Sequence, residues 1–216
     1  VSYTKKQIAE ALDLAVLKPT ATHADIVRAA HKVKTQNIHS LCVAPVNVGL
    51  ARLYVEEIAT VVGFPHGNTL PAVKVLEASL AVSHGATELD VVVNYGHFLA
   101  GKPRTVKEEL TLLVNLFRPM PVVIKAILET SYYNPDQIRD ACKLCVDCGV
   151  GFVKTSTGFG SGGATEEAVR IMVDAVRGSG AGVKASGGIK TYADAARYLD
   201  LGCTRLGASV FEELLP

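Results

Sequence analysis

An eightfold alternation of short apolar runs with amphipathic stretches governs what this chain can fold into. The apolar runs span 12–17, 38–44, 58–64, 87–93 and 121–127, begin again at Gly151 and Gly182, and finish with 203–207. Helical patterns separate them. Thr22, three residues before Asp25, caps a helix running to Gln36. An amphipathic helix follows Pro45 through about residue 57, and 71–84 and 104–117 are helical. Asn134-Pro135 starts a helix reaching Cys148, and 165–177 carries Glu166 and Glu167 in its first turn. Thr191 caps a helix to Leu199, and 209–215 is a last short one. A loop is expected at 94–101, and a short helix over 4–11 precedes the first strand. Strand–helix alternation means parallel strands, and near-continuous apolar strands mean both faces are covered. Eight such units favour an α/β protein with a closed (β/α)8 TIM barrel over an open doubly wound sheet, whose dinucleotide glycines after the first strand are missing. With short links throughout, 1–216 is expected to be a single catalytic domain.

The 216 residues carry a formal net charge of +1, which gives no support for a nucleic-acid or membrane-surface partner. No apolar run reaches membrane-spanning length. The polar N-terminal pattern and five cysteines read as a cytoplasmic protein with reduced thiols. Cys142, Cys145 and Cys148 lie at three-residue spacing within one helical pattern, which makes them a packing face rather than a cluster site. The six histidines show no metal-ligand pairing, so no metal and no cofactor are expected.

Lysines inside the apolar runs require a reason, because an unpaired buried ammonium is costly. Lys125, Lys154 and Lys184 sit in strands five, six and seven, with Asp13 in strand one and Asp90 in strand four. Active sites of such barrels lie at the C-terminal strand ends. Residues two apart share a face, which groups Glu88 with Asp90, Lys154 with Ser156, and Lys184 with Ser186. If those faces point inward, a carboxylate and two ammonium groups converge. Burial or a neighbouring cation lowers a lysine's pKa and frees a nucleophilic amine for Schiff-base chemistry, and a nearby carboxylate moves the protons. The plainer alternative is a set of interior salt bridges, Asp90 with Lys154 and Glu88 with Lys125.

Glycine-rich loops follow strands six, seven and eight: Gly158 to Gly163, Gly187-Gly188, and Gly207-Ala208-Ser209 opening a helix. Backbone N–H groups and a helix N-terminus suit an anion, and barrels often bind phosphate after strands seven and eight.

Val61-Val62-Gly63-Phe64-Pro65, Glu88-Leu89-Asp90-Val91-Val92, Phe152-Val153-Lys154-Thr155-Ser156-Thr157-Gly158 and Val183-Lys184-Ala185-Ser186-Gly187-Gly188-Ile189 resemble the deoxyribose-phosphate aldolases in order and spacing. The resemblance runs from Leu12 to Leu214. It implies a class I, metal-free lyase on a (β/α)8 barrel. Such a lyase interconverts 2-deoxy-D-ribose 5-phosphate with D-glyceraldehyde 3-phosphate and acetaldehyde. It further implies Lys154 as Schiff-base nucleophile, Lys184 as the cation lowering its pKa, and Asp90 as proton-transfer carboxylate. Asp13 and Lys125 resemble supporting residues, and Cys42 a site-proximal cysteine. Thr157, Gly158, Gly187, Gly188 and Ser209 fall at positions resembling substrate hydroxyl and phosphate contacts. The partners implied are a phosphorylated sugar, acetaldehyde and further copies of the chain in a homodimer or higher homo-oligomer.

The sequence departs from that pattern at three points. Ala15 stands where family members often have threonine, and Phe159 where some have lysine. The sequence reads Leu214-Leu215-Pro216 at its end, so no help from the mobile C-terminal tyrosine tail of some members is expected. The alternatives are another Schiff-base aldolase, transaldolase-like, and a non-catalytic barrel that binds a phosphorylated ligand.

Overall fold

The computed structural model describes residues 2–216. Eight parallel strands close in chain order into a barrel: β1 (Leu12–Val16), β2 (Ser40–Val43), β3 (Ile58–Val62), β4 (Glu88–Val92), β5 (Val123–Ile127), β6 (Phe152–Lys154), β7 (Gly182–Ser186) and β8 (Arg205–Ala208). The helices are α1 (Lys5–Ala11), α2 (His23–Gln36), α3 (Val48–Arg52), α4 (Pro71–Ser83), α5 (Tyr95–Leu99), α6 (Pro103–Phe117), α7 (Pro135–Cys148), α8 (Glu166–Val176) and α9 (Tyr192–Asp200). The expected (β/α)8 barrel with its N-terminal helix is the fold observed. Among the described residues no helix is long and apolar enough to cross a membrane.

Local chemistry sets the helix starts. Thr22 with Asp25, Asn134 with Gln137, and Thr191 with Asp194 form reciprocal capping boxes, each satisfying two otherwise orphaned N–H groups. Three expectations differ from what forms. The helix drawn through residue 57 is a 3-10 turn at Pro45–Asn47 followed by α3, which ends at Arg52. Val48 and Ala51 of α3 are buried in the core, but the apolar residues on either side of it are not: Val46 is 86% and Leu53 76% exposed. The loop at 94–101 contains α5, because the Asn94 side chain accepts from His97 N. After β8 only a 3-10 turn forms, at Glu212–Leu214, so Ser209 stands at no helix N-terminus.

The strand periodicity divides the protein into two interiors. Leu12, Leu14, Leu41, Val43, Leu89, Val91, Val153 and Val183 face outward into one apolar layer beneath the helices. Cys142, Cys145 and Cys148 lie in that layer, at 0%, 1% and 5% exposure, as the packing face of α7. The alternate residues turn inward. A small apolar cluster of Cys42, Ala59 and Val61 occupies one side of the barrel interior. The other side is charged: Asp13, Glu88, Asp90, Lys125, Lys154, Lys184 and Arg205 are all buried.

Candidate active site

Strand register brings the lysines together. Lys154, the last residue of β6, lies directly opposite Lys184 on β7, and Asp90 on β4 lies opposite Lys125 on β5. Asp90 is two strands from Lys154 and reaches it inside the barrel. One oxygen, Asp90 Oδ2, accepts from Lys154 Nζ at 2.7 Å and Lys184 Nζ at 2.8 Å. Lys125 Nζ donates to Asp90 Oδ1 at 2.8 Å and approaches Asp13 at 3.2 Å and Glu88 at 2.5 Å. Asp13 also takes a very short contact from Lys184, and accepts from Ser40 Oγ at 2.8 Å and Arg205 Nη1 at 2.7 Å. Gly207 leaves room for this cluster: a Cβ there would stand 3.1 Å from Lys184 Cε and 2.9 Å from Ser186 Cβ.

The charges of this network set the lysines apart. Three carboxylates, Asp13, Glu88 and Asp90, face four basic side chains, Lys125, Lys154, Lys184 and Arg205. With Lys154 neutral and the rest ionised, the buried charges balance, which avoids the cost of an uncompensated interior cation. The individual groups agree. Burial pushes the Lys154 ammonium below its ordinary pKa; Asp90 opposes this, and Lys184 adds to it. Burial acts on Lys184 too, but Asp13 and Asp90 outweigh it and raise its pKa. Lys125, facing three carboxylates, is likewise raised against the effect of burial. Burial favours protonation of Asp90, yet Lys125, Lys154 and Lys184 overcome it and hold the carboxyl well below the usual range. Desolvation of Lys154 is thus a larger cause than the neighbouring cation.

Above the network opens a cavity of about 960 Å³ at the C-terminal strand ends. Lys154, Lys184, Asp13, Cys42, Thr157, Gly158, Gly187, Gly188 and Ser209 line it. Asp90 and Lys125 are absent from its wall and lie beneath the lysines, in contact with them. The Cys42 thiol is pushed up to about 11 by burial and the Asp90 charge, so it rests as the thiol. Ala15 and Phe159 also face the cavity. Phe159 packs edge-on against Phe64, ring centroids 5.2 Å apart, so the mouth has one apolar flank. The opposite flank is glycine backbone. Gly163 and Gly187 touch where side chains cannot fit: a Cβ on Gly163 would lie 2.2 Å from Gly187 O.

Several residues that sequence reasoning passed over belong here. Arg205 caps the network from below, donating to Asp13 and Glu88. Its inward parity with Gly207 was the available signal. Lys18, Arg28, Lys32 and Lys190 put positive charge on the rim, beside the backbone N–H groups of the glycine loops. Asp13, His39 and Glu88 have ligand atoms close enough together to hold a cation. Their carboxylates are already occupied by Lys125 and Arg205.

Known proteins match this architecture along almost its whole length. The DeoC/LacD family aldolase model matches residues 7–209. A deoxyribose-phosphate aldolase of Carboxydothermus hydrogenoformans is 46% identical over 97% of this chain and 93% of its own. One from Thermococcus kodakarensis is 40% identical over 95% and 94%. The solved structure of the Aeropyrum pernix deoxyribose phosphate aldolase, described as a unique tetramer, superposes with a TM-score of 0.90 at 29% identity, covering 98% of this chain and 90% of that one. The lysine-lined barrel described here belongs to the DeoC/LacD family of aldolases.

Proposed function

We propose that the protein is a class I lyase that reversibly cleaves 2-deoxy-D-ribose 5-phosphate to D-glyceraldehyde 3-phosphate and acetaldehyde, with Lys154 as the Schiff-base nucleophile. The observation that carries this reading is the pairing of Lys154 and Lys184 on one oxygen of Asp90 at the floor of the mouth cavity. The names of the relatives support the substrate.

In the cleavage direction the neutral Lys154 amine attacks C1 of the open-chain aldehyde. Lys184, kept protonated by Asp13 and Asp90, supplies the proton that lets the carbinolamine lose water. The resulting iminium accepts the electron pair of the C2–C3 bond as the C3 hydroxyl proton leaves through water to the Asp90–Lys184 pair. Glyceraldehyde 3-phosphate departs. The enamine is protonated at C2, and water hydrolyses the iminium to acetaldehyde and free Lys154. Asp90 stays ionised and moves protons between its two lysine partners. Lys125, Arg205 and Asp13 fix the network from below. Thr157, Gly158, Gly187, Gly188 and Ser209 grip the substrate's hydroxyl and phosphate groups, and Lys18 and Lys190 on the rim add charge for the phosphate. Residues 1–216 act as one catalytic domain needing no metal or cofactor. The tetramer of the Aeropyrum pernix relative supports self-association of this chain as well.

A coupled assay tests the reading: incubation with 2-deoxy-D-ribose 5-phosphate releases acetaldehyde, measured with an alcohol dehydrogenase. Acceptance of dihydroxyacetone phosphate as donor in place of acetaldehyde would move the protein to a different aldolase specificity. Absence of any carbonyl adduct would leave a barrel that only binds its ligand.

A further inference from the structure

Glu129 stands two residues past β5 with left-handed backbone, φ 58°, a conformation uncommon for a residue with a side chain. It is 1% exposed, although it belongs to a connecting segment. Its Oε2 accepts from Thr157 N at 3.2 Å and takes a very short hydrogen bond from Thr157 Oγ1. With its proton committed to Glu129, Thr157 Oγ1 accepts from Phe159 N at 3.0 Å. One carboxylate thus ties down three consecutive residues, Thr157 to Phe159, all facing the cavity. The segment is tied on its other side as well, where Ala164 N donates to Ser186 O and Gly187 O at 3.1 Å and 3.0 Å. Gly160 completes the fit: a Cβ there would lie 2.8 Å from Glu129 Cδ and 3.0 Å from both carboxyl oxygens. Glu129 Oε1 is buried with no hydrogen-bond partner, a cost that packing alone does not require.

We propose that Glu129 is a positioning residue that holds the Thr157–Phe159 segment at the height where it meets the substrate. It acts through Thr157: it does not line the cavity, and although the Lys154 charge reaches its carboxyl, Thr157 holds its hydrogen bonds. Both Thr157 donors reach one carboxyl oxygen, so the amide oxygen of glutamine can accept the same two hydrogen bonds. This inference rests on the aldolase reading above and adds to it a determinant of substrate affinity that lies outside the lysine network.

The test compares wild type with Glu129→Ala, Glu129→Gln and Gly160→Ala. The last displaces the carboxyl without deleting it, and Gly160 is an exposed loop residue whose backbone accepts alanine. Loss of the two hydrogen bonds raises KM for 2-deoxy-D-ribose 5-phosphate about tenfold in Glu129→Ala and in Gly160→Ala, with kcat within about threefold. Glu129→Gln restores most of the affinity. Borohydride trapping of acetaldehyde on Lys154, which does not need the gripping segment, stays at the wild-type level in all three. Unchanged KM in both Glu129→Ala and Gly160→Ala overturns the proposal. So does a Glu129→Gln variant no better than Glu129→Ala, or a fall in trapping that parallels the fall in cleavage. Failure of wild type itself to trap acetaldehyde would refute the aldolase reading instead.

Discussion

Replacing Lys184 by leucine isolates what the second lysine does to the first. Both ammonium nitrogens hydrogen-bond Asp90 Oδ2, at 2.7 Å and 2.8 Å, so they cannot be farther apart than those two lengths laid end to end. At about 5 Å and an effective dielectric near 20, one unit charge acts on another with about 3 kcal/mol. Removing Lys184 therefore raises the pKa of Lys154, and an interaction of that size favours its protonation on the order of 100-fold. The change in Asp13 and Asp90 works in the same direction, because losing one cation leaves the buried network negative until Lys154 takes up a proton. The neutral amine is the attacking form, so the acid limb of the pH–rate profile moves to higher pH. Well below that limb, adduct formation falls about 100-fold. The assay is the single-turnover rate of borohydride-trapped adduct formation with acetaldehyde across pH, with circular dichroism confirming that the variant is folded. A folded Lys184→Leu variant whose acid limb stays in place, or moves to lower pH, refutes the charge-balance reasoning.

Other perturbations separate the parts of the network. Asp90→Asn removes the carboxylate that raises the Lys154 pKa, so the acid limb moves to lower pH, while loss of the proton route cuts kcat by about 10²–10⁴-fold. Arg205→Met leaves Asp13 and Glu88 short of a buried partner and costs about 3–5 kcal/mol, visible as a melting temperature lowered by about 10 °C. Cys42, with its thiol near 11, is about one part in a thousand thiolate at pH 8 and reacts with iodoacetamide only slowly until the protein is unfolded. Rapid alkylation of Cys42 in the native protein would show that the mouth is more polar than its packing indicates.

How much of this is legible in sequence depends on whether a feature is periodic. The strands and capped helices are visible because alternation and cap chemistry repeat locally. Lys154 and Lys184 are visible as a pair because each interrupts an apolar run, and the barrel register then sets them opposite each other. The plainer reading of interior salt bridges is also present, since Asp90 pairs with Lys154 and Glu88 with Lys125. Ion pairing does not exclude an activated amine, because three carboxylates facing four bases leave one base free to be neutral. That count needs Arg205, to which only its inward parity with Gly207 in β8 points. Glu129 stays hidden for a similar reason. It continues the inward parity of Lys125 and Ile127, but its partner Thr157 lies 28 residues on. The ends of the stretch around α3 show the converse: Val46, Leu53 and Tyr54 extend the apolar period beyond the buried Val48 and Ala51 but stay exposed, and periodicity alone cannot tell the two apart.

Lys154, and no other lysine of the network, is expected to form the covalent intermediate. Reduction with borohydride in the presence of acetaldehyde, followed by peptide mass spectrometry, measures this directly. The expected product is a single ethyl-lysine, at Lys154, lost in Lys154→Leu and retained in Lys125→Met. An adduct on Lys184 or Lys125, or none on a folded protein, would contradict it.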